Sequence, residues 1–112
     1  MPNIGATPAL SPTPLAGFAD SFAQQFNFDL ATALSTALSG IDIAVLNVYG
    51  KIGAVVAQPG DFGLTNATRA CISVEAPFSC AHPNDHLFWD GIHPSAAGHA
   101  ILAHEAARVL AP

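Results

Sequence analysis

The chain has 112 residues, enough for one small domain, and carries a net charge of −5 with only three basic side chains, Lys51, Arg69 and Arg108. The phosphate-neutralising Lys/Arg cluster that nucleic-acid binding needs is missing, which excludes that class, and attraction to anionic lipid is excluded for the same reason. Apolar residues make up 51% and charged residues 10%; so apolar a composition suits the interior of a larger domain, and the chain is expected to be part of something bigger.

No apolar run reaches the ~18 residues needed to span a membrane. The start, MPNIGATPALSPTPL, has no basic segment followed by an apolar core, so a signal peptide is expected upstream of this chain if it exists at all. Four prolines in residues 1–14 predict an extended connector. Thr13-Pro14 then reads as a helix cap and first turn. Leu15, Phe18, Phe22, Phe26, Leu30, Leu34 and Leu38 recur every three or four residues, one apolar helix face ending near Ser39 with Gly40 as its stop. IDIAVLNVY, residues 41–49, predicts a strand buried on both faces, as in a parallel sheet.

KIGAVVAQ predicts a short helix closed by PGDFG, and residues 64–86 read as irregular. HLFWD is a short extended piece. A last helix is predicted over 95–110, with Pro94 or Ser95 at its start, a buried face of Ile101, Leu102, Ala106, Val109 and Leu110, and a Glu105–Arg108 pair outside. The order, helix–strand–helix–loop–helix over 15–110, gives an α/β class.

Cys71 and Cys80 flank the loop CISVEAPFSC. A pair nine apart is poor evidence for zinc, which takes four ligands in tighter pairs. A disulfide fits the loop better and would stabilise by about 2–3 kcal/mol on chain-entropy grounds; two unrelated thiols is the alternative. A disulfide implies a secreted or periplasmic protein.

The chemistry concentrates in WDGIHP. A serine nucleophile needs a base within hydrogen-bond reach, and the base needs an acid that fixes its tautomer. Asp90 and His93, three apart, can meet if Gly91 lets the chain fold sharply, and Pro94 stiffens the exit. By themselves the two residues also fit a structural histidine before a helix. The wider string FWDGIHPSAAGHAILA resembles the final block of the SGNH, or GDSL, hydrolase family. MPNIGATPAL, IAVLNVYGKIGAVVAQPGDFGLTNATRAC and CAHPNDHLFWDGIHP are similar to the bacterial GDSL esterase and lecithinase-like branch.

The resemblance spans nearly the whole chain and corresponds to the C-terminal part of that fold. It implies a flavodoxin-like three-layer α/β fold with a parallel sheet, incomplete here. It implies His93 as general base, Asp90 as its orienting acid, Phe88 as packing and Trp89 as a wall at the substrate. It also implies an ester or lipid substrate for the parent protein, with no metal or cofactor.

The family's nucleophile lies in a Gly-Asp-Ser motif, and this chain has none: PGDFG places Phe62 where the serine belongs. Asn84-Asp85 lacks the glycine of the family's Gly-x-Asn-Asp motif. Ser95 is expected to cap the last helix, and Ser73 and Ser79 have nothing to activate them. The expectation is a hydrolase fragment, inactive alone, that self-associates through uncovered apolar surface. Two alternatives stand beside it: an inert or partner-binding α/β piece, and a metal site built from His82, Asp85, His86, Asp90, His93, His99 and His104.

Overall fold

In the computed structural model, which describes all of residues 1–112, the apolar repeat from Leu15 becomes helix α1, Ala16–Ala37. The Thr13 hydroxyl accepts from the Leu15 N–H at 3.2 Å and donates to the Leu10 carbonyl at 2.8 Å, which settles the entry to the helix. Gly40 ends it at φ +94, a conformation that only glycine adopts freely. The helix was legible, and its apolar face lies uncovered, as expected of a chain that supplies too little to pack against it. Only Ala19 and Ala23 are buried, while Phe18, Phe22, Phe26 and Phe28 are exposed.

Residues 1–14 are not the extended connector expected from their prolines. Ile4–Ala6 forms a turn of 3-10 helix packed on α1, and residues 7–15 continue as turns. The prolines fix φ, which suits successive tight turns as well as an extended chain. Thr7 and Gly5 are buried inside this coil.

The strand predicted at 41–49 does not form. Residues 42–47 have no regular structure and pair with no other segment. A strand exists only through its partner, and no other stretch of this chain offers it a backbone ladder; its neighbour is helix α1. Its last two residues join helix α2, Val48–Ala57, because the Asn47 side chain accepts from the Gly50 N–H at 2.8 Å and caps that helix. Tyr49 ties the start of α2 to α1 through its hydroxyl, 2.5 Å from Asp20 Oδ1. A largely apolar hollow of about 370 Å³ lies between α1 and residues 45–49.

Within 64–86, expected to be irregular, Asn66–Ala70 forms strand β1. It runs parallel to β2, His86–Phe88, with Asn66 opposite His86 and Ala70 opposite Phe88. The Asn66 side chain accepts from the Thr68 and Arg69 N–H groups, which bends β1 and breaks the register between its ends. Cys71 and Cys80 are disulfide-bonded, Cα–Cα 4.8 Å, just beyond β1.

The last helix, α3, spans Ala96–Leu110 with Ser95 as its cap. Ile52 and Val55 of α2, Leu64, Ala67 of β1 and Leu87 and Phe88 of β2 form the core, and Ala97, Ile101 and Leu102 of α3 close it. Of the face expected to be buried, Ile101, Leu102, Ala106 and Val109 are half-buried and Leu110 is exposed, because contact with the core ends at Leu102, about two turns earlier. Glu105 does pair with Arg108, at 2.5 Å, and also with Lys51 of α2, at 2.8 Å. The whole is mixed α/β: three helices and a two-stranded parallel sheet. Its radius of gyration is 15.7 Å, against about 13 Å for a compact domain of this length. α1 contributes no residue to this core.

Candidate active site

β2 delivers the chain to the site. Leu87 and Phe88 are almost fully buried, so the strand is anchored where it ends. The turn that follows is closed at its base: the Trp89 N–H donates to the His93 carbonyl at 2.9 Å, and the Ser95 N–H donates to the Leu87 carbonyl at 2.8 Å. α3 then starts at once. The Ser95 hydroxyl donates to the His86 carbonyl at 2.5 Å and accepts from the Gly98 N–H at 3.1 Å. Gly98 has no substitute here, since a Cβ on it would lie 2.7 Å from the Leu87 carbonyl oxygen.

Inside the turn one carboxylate does two jobs. Asp90 Oδ1 accepts from the Ile92 N–H at 2.8 Å and the His93 N–H at 2.6 Å, and this folds the backbone. Asp90 Oδ2 lies 2.7 Å from His93 Nδ1. These bonds hold the Asp90 carboxyl down at about 2, the His93 backbone N–H first, then that of Ile92, then the imidazole. Asp90 is therefore an anion over nearly the whole pH range, and an anion there makes Nδ1 the protonated ring nitrogen. Nε2 is left without a hydrogen-bond partner, on an imidazole that is 72% exposed.

Gly91 does not serve as expected. Its φ is not in the left-handed region, so the turn does not need its conformational freedom. It is small because residue 9 comes close: a Cβ on Gly91 would lie 3.3 Å from Ala9 Cβ. The Ala9 N–H donates to the Gly91 carbonyl at 2.9 Å. The sequence held no signal for this contact beyond the glycine itself.

Trp89 is half-exposed beside the pair, and Phe88 is core. No serine hydroxyl is hydrogen-bonded to the imidazole. Ser95 is buried with its hydroxyl engaged on both sides, as a cap, and the Ser73 hydroxyl accepts from the Glu75 N–H. Asn84 lines a separate hollow with Lys51, Phe62 and His104. The histidines do not converge: no three His, Cys, Asp or Glu side chains are grouped to hold a metal ion. Four hollows on the surface are lined by neither Asp90 nor His93, and the exposed imidazole faces solvent.

Residues 1–106 match the profile of the family described as GDSL-like Lipase/Acylhydrolase. The chain belongs to the GDSL-like lipase/acylhydrolase family. Among known proteins it is similar to GDSL esterase/lipase APG of Arabidopsis thaliana, 32% identical over 96 residues, which are 72% of this chain and 27% of that protein. GDSL esterase/lipase At1g06990 of the same plant is 29% identical over 97 residues, 75% of this chain and 27% of that protein. GDSL esterase/lipase At1g29660 is 30% identical over 82 residues, 62% of this chain and 22% of that protein. This GDSL-family chain thus spans about a quarter of the length of these relatives. They are plant proteins, so the narrower resemblance to a bacterial branch is not supported by them.

Proposed function

We propose that this GDSL-family chain is the C-terminal part of a carboxylic ester hydrolase and carries the base and acid of a Ser-His-Asp triad. The serine and the oxyanion donors come from residues outside the chain. The observation that carries the reading is the 2.7 Å contact of His93 Nδ1 with Asp90 Oδ2, which leaves Nε2 unpaired. In the reaction this implies, Nε2 takes the serine proton as Oγ attacks the ester carbonyl carbon. The imidazolium, stabilised by Asp90, gives that proton to the leaving alkoxide as the ester C–O bond breaks. Water, giving a proton to His93 Nε2, then attacks the acyl carbon; the bond to serine Oγ breaks, the acid leaves, and the imidazolium returns the proton to Oγ. Trp89 forms a wall beside the acyl or alcohol group. No step calls for a metal or cofactor.

The missing nucleophile means the chain alone has no acyl-enzyme route, and oxyanion donors contribute about 2.7–4 kcal/mol each. The disulfide supports a protein that works outside the cytosol, in the secreted or periplasmic space. The test is completion. The chain alone is expected to give no turnover of short p-nitrophenyl esters above background. Supplying an upstream segment with Gly-Asp-Ser and Gly-x-Asn-Asp, fused or in trans, is expected to give turnover. Hydrolysis by the chain alone, lost on Ser95→Ala, would reject the reading.

A further inference from the structure

The Gly91–Ile92 peptide is the centre of the Asp90–His93 turn, and it is held from both sides. Its N–H donates to Asp90 Oδ1 at 2.8 Å. Its carbonyl accepts from the Ala9 N–H at 2.9 Å. A central turn peptide is the unit that rotates when one turn type converts to another. Here rotation breaks both bonds at once.

Ala9 is offered by a fastened coil. Thr7 is buried, and its hydroxyl donates to the Ile4 carbonyl at 2.7 Å. The Thr7 carbonyl accepts from the N–H groups of Leu10 at 3.1 Å and Ser11 at 2.8 Å. Thr13 closes the coil on the Leu10 carbonyl through both its N–H and its hydroxyl, each at 2.8 Å. The Ile4–Ala6 end packs on α1. Ala9 is therefore a fixed donor, and the bare Cα of Gly91 admits it, with only 3.3 Å between Ala9 Cβ and the place a Gly91 Cβ would take.

We propose that Ala9 is a positioning residue: its N–H holds the Gly91–Ile92 peptide so that Asp90 Oδ1 collects the Ile92 and His93 N–H groups and Oδ2 stays aimed at His93 Nδ1. The coil of residues 4–13 is in this sense part of the site, although none of its side chains hydrogen-bonds to the pair. The consequence for catalysis rests on the reading of Asp90 and His93 as acid and base; the geometric claim does not.

The test is NMR of the labelled full chain, following the Asp90 carboxyl titration and the His93 Nδ1 proton, with the thermal midpoint recorded beside them. Ala9→Pro removes the donor. It is expected to raise the Asp90 pKa from about 2 toward the ordinary 3.8, by about one unit or more, a tenfold change in acidity. The Nδ1 proton signal is expected to broaden. Gly91→Ala pushes Ala9 away and shifts both signals the same way, by less. Ala9→Gly added to Gly91→Ala removes the colliding methyl and restores them, which a general loss of folding does not allow.

If Ala9→Pro fails to fold, the Gly91→Ala pair decides alone. An Asp90 titration unmoved by Gly91→Ala, or unrestored in the double variant, overturns the proposal. A titration that responds as expected, in a completed enzyme whose turnover survives His93→Ala, leaves the brace standing and removes the catalytic reading instead.

Discussion

At the scale of single residues, Asp90 sets both the fold of the turn and the tautomer of His93. An Asn at that position keeps an oxygen for the Ile92 and His93 N–H groups, so the turn persists, but its amide NH2 faces His93 Nδ1 with a donor instead of an acceptor. The imidazole then holds the wrong tautomer. In a completed enzyme Asp90→Asn is expected to lower kcat by roughly 10⁴-fold, the loss seen for serine triads in general, with KM little changed. Equal kcat would mean that Asp90 shapes the turn and nothing more. Asp90 also makes a pH signature. Its carboxyl lies at about 2 when folded, below the ordinary 3.8. Its contribution is therefore fully present above about pH 4 and lost as pH falls toward 2. Glu105, held at about 2 chiefly by Arg108 and then by Lys51, acts in the same window. The Asp90 share is thus the difference between the chain and Asp90→Asn in urea melts across pH 2–4. Identical slopes in the two proteins would contradict the bond pattern.

At the scale of elements, the contact between β2 and α3 sets where His93 stands. Gly98→Ala places a methyl 2.7 Å from the Leu87 carbonyl oxygen and 3.0 Å from Pro94 Cβ. Backbone cannot yield as a side-chain tip does, so the expected cost is about 1–3 kcal/mol, read as a lower thermal midpoint. An unchanged midpoint would show that α3 does not cross β2 so closely. The same elements explain what was legible in the sequence. α1, α3 and the Asp90–His93 turn could be read because their signals are local: apolar spacing, Ser95 as a cap, Gly40 as a stop, an acid three before a histidine. The strand expected at 41–49 failed because pairing is not local, and IAVLNV has no partner in this chain. β1 was missed for the converse reason. NATRA is polar and short, and only its pairing with β2 and the burial of Ala67 make it a strand. Gly91 was singled out correctly and explained wrongly, since its neighbour Ala9 is distant in sequence.

At the scale of the whole molecule, the apolar composition and the shape tell one story. A chain that is half apolar has its longest helix uncovered, with Phe18 73% and Phe28 68% exposed and Val45 67% exposed on the unpaired segment. Surface of this kind associates. The chain alone is expected to elute from size exclusion above its monomer mass, more so at higher concentration. Phe18→Ser with Phe28→Ser is expected to shift it toward monomer without lowering the thermal midpoint, because neither ring is in the core. A concentration-independent monomer would show that α1 is covered in a way the fold does not provide. The catalytic claim fits the same picture: an acid–base pair whose imidazole faces solvent, anchored by β2 and α3, in a chain about a quarter as long as its relatives.

The most direct test is therefore His93→Ala in the chain completed by an upstream Gly-Asp-Ser segment. Expected is a fall in kcat of roughly 10⁴–10⁶-fold on short p-nitrophenyl esters, with KM little changed and the fold retained by circular dichroism. Turnover within a few-fold of the unmutated enzyme would contradict it.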